Sequence, residues 1–143
     1  MIAPVRWEGG ALVLLDQTKL PIEEVERAYS AWPDVADAIR TLVVRGAPAI
    51  GVAAAFGVVL AARASRATNH AGLLADLEEA IKGLAATRPT AVNLFWALDR
   101  MRRLVVASAP ALQWVSRRAP SGTSAAPYAP IAWFAARSSA RMA

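Results

Sequence analysis

Two short segments combine an arginine with residues that begin helices. In the first, residues 45–51 read Arg-Gly-Ala-Pro-Ala-Ile-Gly and lead into an apolar run that continues to Ala62. Gly46 can adopt backbone conformations that other residues cannot. Pro48 suits the first turn of a helix, because the N–H that proline lacks would have no hydrogen-bond partner within the helix there. Because the free amides of a helix start carry partial positive charge, Arg45 beside them predicts a binding site for a phosphate or a carboxylate.

The second segment nearly repeats this arrangement. Residues 87–94 read Thr-Arg-Pro-Thr-Ala-Val-Asn-Leu, so that Arg88 directly precedes Pro89, which is predicted to open another apolar helix. A single arginine before a helix is usually a solvated charge. Two such motifs in one chain instead predict one anionic ligand held from two sides.

Groups that could transfer protons are scarce near these motifs. His70 is the sole histidine, lies far along the chain from both arginines, and is expected at a helix start or on the surface. Asp16 follows a predicted strand, where a turn or capping role is favoured over a place in a site. Asp99 is expected to face solvent or to pair with Arg102 or Arg103. We therefore assign no catalytic residue and no metal ligand, and expect no cofactor.

The elements that must position the arginines are mainly helical. Gly9-Gly10 predicts a two-residue turn between two strands. In the long apolar helix, small residues at every fourth position predict close packing against another element, and Glu78 with Lys82 predicts an i,i+4 ion pair. The predicted strands are 5–8 and 11–15, and the predicted helices are 21–29, 34–40, 47–62, 71–86 and a last one from Pro89 through Met101.

The composition fits one cytosolic domain. The chain has 143 residues, is 56% hydrophobic and contains no cysteine, which excludes disulfides and thiolate chemistry. Its N-terminus lacks the pattern of a secretory signal. The apolar run from Ala47 to Ala62 falls short of the roughly 20 residues of a membrane span, so a buried core helix is predicted.

Charge and composition change towards the C-terminal end. The net charge is +5, yet every acidic residue lies at or before Asp99 and seven arginines follow it. Residues 107–143 contain no Asp, Glu or Lys and are rich in Ala, Ser, Arg and Pro. We expect a domain at 1–104 and an unrelated, disordered low-complexity tail at 105–143, for which a frameshifted or foreign origin is our hypothesis. A basic tail that binds nucleic acid is the alternative, disfavoured because the arginines are sparse and no aromatic residues interleave with basic ones.

The two arginine motifs, together with residues 15–21 (Leu-Asp-Gln-Thr-Lys-Leu-Pro), resemble methylthioribose-1-phosphate isomerase, the aldose–ketose isomerase of methionine salvage. The resemblance covers about residues 2–103. It implies an α+β fold, mainly α with a small N-terminal β element, belonging to the N-terminal domain of the isomerase and initiation-factor-2B-like superfamily. It also implies that Arg45, Gly46, Ala47 and Arg88 hold the substrate phosphate.

The resemblance also implies what this chain does not carry. Family members continue into a larger Rossmann-like domain that holds the catalytic cysteine and aspartate, so a chain cut after about residue 103 is expected to be inactive alone. It further implies a cytoplasmic protein that uses a sugar phosphate and forms a homodimer in the full-length family. From the acidic residues before Asp99 and the short apolar run we expect no nucleic-acid or membrane partner. The alternative is a regulatory phosphosugar- or nucleotide-binding module like the subunits of the translation initiation exchange factor.

Overall fold

The sheet and helices follow one another along the chain. The computed structural model describes residues 3–108, which form a three-stranded sheet followed by four helices. The fold class predicted from the sequence, mainly α with a small N-terminal β element, is confirmed. The strands are β1 (Val5–Glu8), β2 (Ala11–Leu15) and β3 (Glu26–Tyr29), and the helices are α1 (Trp32–Arg40), α2 (Ala47–Ala64), α3 (His70–Ala85) and α4 (Val92–Ala107).

The predicted hairpin is confirmed. β1 and β2 pair antiparallel with Glu8 opposite Ala11, so that Gly9 and Gly10 form the two-residue turn. Both glycines have positive φ, 58° and 86°, as the tight hairpin turns that match strand twist require. The Trp7 ring stacks on Phe56 of α2 at 5.2 Å between centroids, which fixes the hairpin against the helices.

The predicted helix at 21–29 is wrong. Glu26–Tyr29 instead forms β3, which pairs antiparallel with β2, Leu12 lying opposite Tyr29. The central strand β2 is buried along most of its length and would otherwise leave backbone N–H and C=O groups without partners. Pairing across the sheet therefore outweighs the weak helical preference of a short segment.

α2 is the central helix, and two of its glycines let its neighbours approach. A Cβ on Gly57 would lie 3.1 Å from Leu84 of α3. A Cβ on Gly51 would lie 3.0 Å from the carbonyl oxygen of Asn93 and 3.6 Å from the Cβ of Ala97 in α4. Gly51 belongs to the small-residue stripe predicted from the sequence, so the expected close packing occurs there.

Two sequence-based expectations for α3 fare differently. The helix runs over His70–Ala85, within one residue of the predicted range, and the Asn69 side chain caps it by accepting a hydrogen bond from the Gly72 amide at 2.7 Å. Glu78, in contrast, pairs with Arg102 of α4 through two hydrogen bonds rather than with Lys82. The planar guanidinium of a neighbouring helix matches both carboxylate oxygens, which a lysine cannot do.

α2 is also the one helix in the described range 3–108 that is long and apolar enough to meet the criteria for a membrane span. However, 56% of it is buried inside the fold. Helices α1, α3 and α4 and the hairpin all contact it. This environment agrees with the predicted core helix.

α4 differs because part of its apolar surface faces outward. Trp96 is 64% exposed, and the side chains of Val92 and Val106 are exposed as well. The helix continues to Ala107, and most of the tail predicted at 105–143, with the frameshift hypothesis attached to it, lies outside the described residues. The domain boundary at 104 stays a prediction.

Candidate functional site

The Arg45 loop is built on two buried valines and a glycine. Val43 and Val44 are buried in the core, and the chain reaches the surface at Arg45. Gly46 is the N-cap of α2 with φ 89° and ψ 136°, a conformation that essentially only glycine adopts. Its carbonyl accepts the first helical hydrogen bond from the Ile50 amide at 3.0 Å.

The start of α2 leaves donors available. Within the described part of the chain, the N–H groups of Gly46, Ala47 and Ala49 have no hydrogen-bond partner, and no side chain caps the helix. Gly46 and Ala47 are exposed. Free amides at a helix start attract anions, so this loop has the electrostatic character predicted for it.

The Arg45 side chain is held by the turn after β2. Its guanidinium donates to the carbonyl oxygen of Gln17 at 2.5 Å, and the Gln17 side-chain amide donates to the carbonyl oxygen of Arg45 at 3.4 Å. A guanidinium has five N–H donors, so this contact leaves most of them available. No local sequence pattern indicates this contact, although Gln17 lies within the motif at 15–21 on which the family resemblance depends.

Arg88 lies in the turn between α3 and α4. Thr87 beside it is buried and donates its hydroxyl to the Leu84 carbonyl at 2.6 Å, while the Arg88 carbonyl accepts from the Ala91 amide at 3.0 Å. The Arg88 side chain makes no hydrogen bond or ion pair with any residue in the described range. The prediction that Pro89 opens the helix is wrong, because α4 begins at Val92 after a turn that contains Pro89.

The tertiary structure brings the two helix starts together. Gly51 lies in the second turn of α2 and Asn93 in the first turn of α4, and the Asn93 carbonyl approaches to 3.0 Å from the Cβ position of Gly51. No carboxylate or imidazole among residues 3–108 bonds to Arg45 or Arg88. The second turn of α2 and the first turn of α4 are therefore in contact, so the two helix starts belong to neighbouring elements.

A cavity in the described part lies away from both arginine motifs. It has a volume of about 660 Å³, is open to solvent, and is lined mostly by polar and charged side chains. Neither Arg45 nor Arg88 lines it. Its lining includes Asp16, Arg27, Tyr29, Asp37 and Thr41. Several of these groups already have hydrogen-bond or ion-pair partners. The cavity is therefore separate from the phosphate site predicted at Arg45 and Arg88.

Asp16 has the turn role expected from the sequence. It is fully buried and accepts hydrogen bonds from the Thr18 hydroxyl at 2.6 Å, the Thr18 amide at 3.0 Å and Arg27 Nε at 2.8 Å. These bonds, led by the one from the Thr18 hydroxyl, lower the pKa of the Asp16 carboxyl below its usual value. Its acceptor positions are occupied by the fold rather than directed at a ligand.

The other two candidates for acid–base chemistry, His70 and Asp99, also have roles in the fold. His70 is the first residue of α3, as predicted, and its Nδ1 is buried without a partner in the described structure. Asp99 pairs with Arg103 one turn away, also as predicted. In residues 3–108 no three side chains of the metal-ligating types come together.

Proteins of known structure and name share this architecture. The 5-methylthioribose 1-phosphate isomerase of Pyrococcus horikoshii superposes with a TM-score of 0.68 and 37% identity, covering 78% of this chain and 35% of the other. The delta subunit of translation initiation factor eIF-2B from A. fulgidus superposes with a TM-score of 0.64 and 34% identity, covering 82% of this chain and 38% of the other. The fold is therefore that of the N-terminal domain of the isomerase and initiation-factor-2B-like superfamily.

Sequence comparison specifies the family. The model of the initiation factor 2 subunit family matches residues 43–119, more than half of the chain, which belongs to that family. The methylthioribose-1-phosphate isomerase of Pelotomaculum thermopropionicum is 57% identical over 104 residues, 72% of this chain. The chain spans only 29% of that relative's length.

Proposed function

We propose that this chain provides the phosphate-binding part of a methylthioribose-1-phosphate isomerase. Arg45, Gly46 and Ala47 would hold the substrate phosphate from one helix start, and Arg88 would hold it from the other. The observation that carries the proposal is the close approach of α2 and α4 at Gly51, which makes these two helix starts neighbours. The names of the relatives support the choice of ligand.

In this proposal the described residues bind and orient the substrate. Aldose–ketose isomerisation moves a hydrogen between C1 and C2 and needs groups that handle protons and the charge on two oxygens. Free main-chain amides and arginines can fix a phosphate but are poor proton-transfer groups at neutral pH. We therefore infer that the chain alone binds the sugar phosphate without turning it over, and that the conversion, a step of methionine salvage, requires further residues.

Binding can be measured directly by titrating the chain with methylthioribose-1-phosphate in a calorimeter. We expect saturable binding that weakens in Arg45→Ala and in Arg88→Ala. Arg66→Ala is the matched control, because Arg66 is an exposed arginine without a partner among the described residues. Equal losses in all three variants would indicate general electrostatic attraction and contradict the proposed site.

Turnover is tested separately on the purified chain. We expect no conversion of methylthioribose-1-phosphate to the ketose when the sugars are followed by NMR. The appearance of methylthioribulose-1-phosphate would show that the chain carries its own catalytic groups.

A second function is favoured by the structural likeness to the initiation factor subunit. A regulatory phosphosugar- or nucleotide-binding module would use the same helix starts without any isomerase chemistry. Titration with a nucleoside monophosphate distinguishes the two. Tighter binding of the nucleotide than of methylthioribose-1-phosphate would favour the module over the isomerase.

The cellular setting follows from the same proposal. A soluble sugar-phosphate substrate fits a cytoplasmic protein. We further propose that the protein acts as a homodimer and needs neither nucleic acid nor a membrane. The burial of much of α2 inside the fold supports the last point. Sedimentation of the chain against that of a full-length relative would show whether the described part can dimerise.

A further inference from the structure

The turn that follows β2 is joined to the Arg45 loop by three hydrogen bonds. The Gln17 amide donates to the Val43 carbonyl at 2.9 Å. The Arg45 guanidinium donates to the Gln17 carbonyl, and the Gln17 side-chain amide donates to the Arg45 carbonyl. We propose that Gln17 is a positioning residue that holds Arg45 and the Arg45–Gly46 peptide in place for a phosphate, an inference that rests on the proposed function.

The side-chain contact sets the direction of a donor. In a trans peptide the C=O and the following N–H point in opposite directions. Because Gln17 Nε2 holds the Arg45 carbonyl, the Gly46 N–H is directed away from Gln17. That N–H is one of the three donors without a partner in the described structure, so the contact keeps it available to a ligand.

The main-chain contact orients the guanidinium without neutralising it. A carboxylate partner would offset the charge of Arg45, whereas the Gln17 carbonyl carries only a dipole. Fixing a long side chain before the ligand arrives removes part of the rotamer entropy that binding would otherwise cost. Arg45 is thus both charged and ordered.

Gln17 is itself held by a rigid turn. The buried Asp16 carboxylate accepts from Thr18 and Arg27, and the Asp16 carbonyl accepts from the Lys19 amide at 3.2 Å. The Asp16 amide in turn donates to Val25 at 2.7 Å, next to β3. The position of Gln17 therefore depends on the sheet, and through it the sheet fixes the start of α2.

A double-mutant cycle tests the proposal with methylthioribose-1-phosphate as the ligand. Gln17→Met keeps the length of the side chain and removes its amide donor. We expect the affinity to fall by about 5- to 10-fold, the loss of one hydrogen bond. In an Arg45→Ala background the same substitution should lower affinity by a similar factor, because the carbonyl that the Gln17 side chain holds belongs to the main chain and is still present. No loss in either background, or a loss only when Arg45 is present, would overturn the proposal.

Two controls separate positioning from loss of structure. Ser108→Ala removes another side-chain to main-chain hydrogen bond, at the far end of α4, and should leave affinity unchanged while lowering thermal stability about as much as Gln17→Met. If Gln17→Met does not fold, Gln17→Glu replaces it, since a carboxylate cannot donate to the Arg45 carbonyl.

A measurement without ligand completes the test. Nitrogen-15 relaxation of Arg45 Nε should show an ordered side chain in the wild-type chain and in Gln17→Met alike, because the Gln17 carbonyl that holds the guanidinium belongs to the main chain. A mobile Arg45 side chain in the wild-type chain would overturn the positioning role. Absence of wild-type binding would instead refute the proposed function and with it the use of Gln17 for phosphate, even if Gln17 orders Arg45.

Discussion

At the start of α2 the arginine is bonded through both its side chain and its carbonyl, whereas at the start of α4 the arginine side chain has no partner among the described residues. Gly46 caps α2 directly after Arg45, and Gln17 binds both the side chain and the carbonyl of that arginine. Arg88 is followed by a turn of three residues before α4 begins, and its side chain has no partner within residues 3–108. One motif is therefore ordered in advance, and the other can adjust to a ligand.

The difference shows that two similar sequence patterns can hold their arginine side chains to different degrees. Both motifs place an arginine before a proline and an apolar helix. Within the described residues, only the first motif has its arginine bonded to another turn, because Gln17, which follows β2, reaches Arg45.

The largest effect is expected where the two helix starts meet. Gly51→Val would force methyl groups against the Asn93 carbonyl, and since backbone cannot move aside as a side chain can, we expect a loss of about 3 kcal/mol in the free energy of unfolding. Urea unfolding would measure it. Ala55→Val is the control, because it adds the same branching at a partly exposed position of the stripe. Similar losses in both variants would contradict close packing at Gly51.

The contrast in order predicts unequal losses of affinity. Arg45→Ala should weaken binding of methylthioribose-1-phosphate by about 100-fold, and Arg88→Ala by about 10-fold, because charged hydrogen bonds contribute roughly 1.5–3 kcal/mol and the free side chain loses more rotamer entropy on binding. Calorimetric titration gives both values. A larger loss of affinity for Arg88→Ala than for Arg45→Ala would contradict the assignment of Arg45 as the ordered arginine and Arg88 as the adjustable one.

The backbone at the α2 cap is expected to matter next. Gly46→Ala meets no neighbouring atom within 4 Å, so its cost should come from the positive φ alone. We expect about 1–2 kcal/mol of destabilisation in thermal unfolding. Gly9→Asn in the hairpin turn is the control and should cost less, because asparagine tolerates the left-handed conformation at φ 58°. An unchanged melting temperature for Gly46→Ala would mean that the loop can relax.

The smallest predicted effect concerns pH and the turn that carries Gln17. The pKa of the Asp16 carboxyl is lower in the folded chain than its ordinary value of 3.8, so its ionised form stabilises the fold above that value. This stability is lost as the pH falls through the lowered pKa. Asp16→Asn should therefore cost about 1 kcal/mol at pH 7, and the difference from the wild type should shrink below pH 3.8.

Denaturant unfolding at several pH values measures this difference. Asp99→Asn is a suitable control, because the Asp99–Arg103 pair is exposed and its contribution should be screened by salt. A difference for Asp16→Asn that stays constant from pH 7 to acid would exclude a role for the ionised carboxylate.

The sequence predicted the elements that depend on local chemistry. The glycine pair of the hairpin turn and the apolar run of α2 each specify their structure within a few residues. The helix predicted over 21–29 failed because β3 forms only when the exposed edge of β2 is present to pair with it. The Glu78–Lys82 pair failed for a similar reason, since the preferred partner comes from α4.

What the sequence determined by itself is the chemical character of the candidate site: arginines, a permissive glycine and unpaired amides at helix starts. Those properties belong to residue types and to the ends of any helix. The tertiary structure alone decided that the two helix starts are neighbours, through the missing side chain of Gly51, and that Gln17 reaches Arg45. Both depend on distances between segments far apart in the chain, which no local pattern encodes.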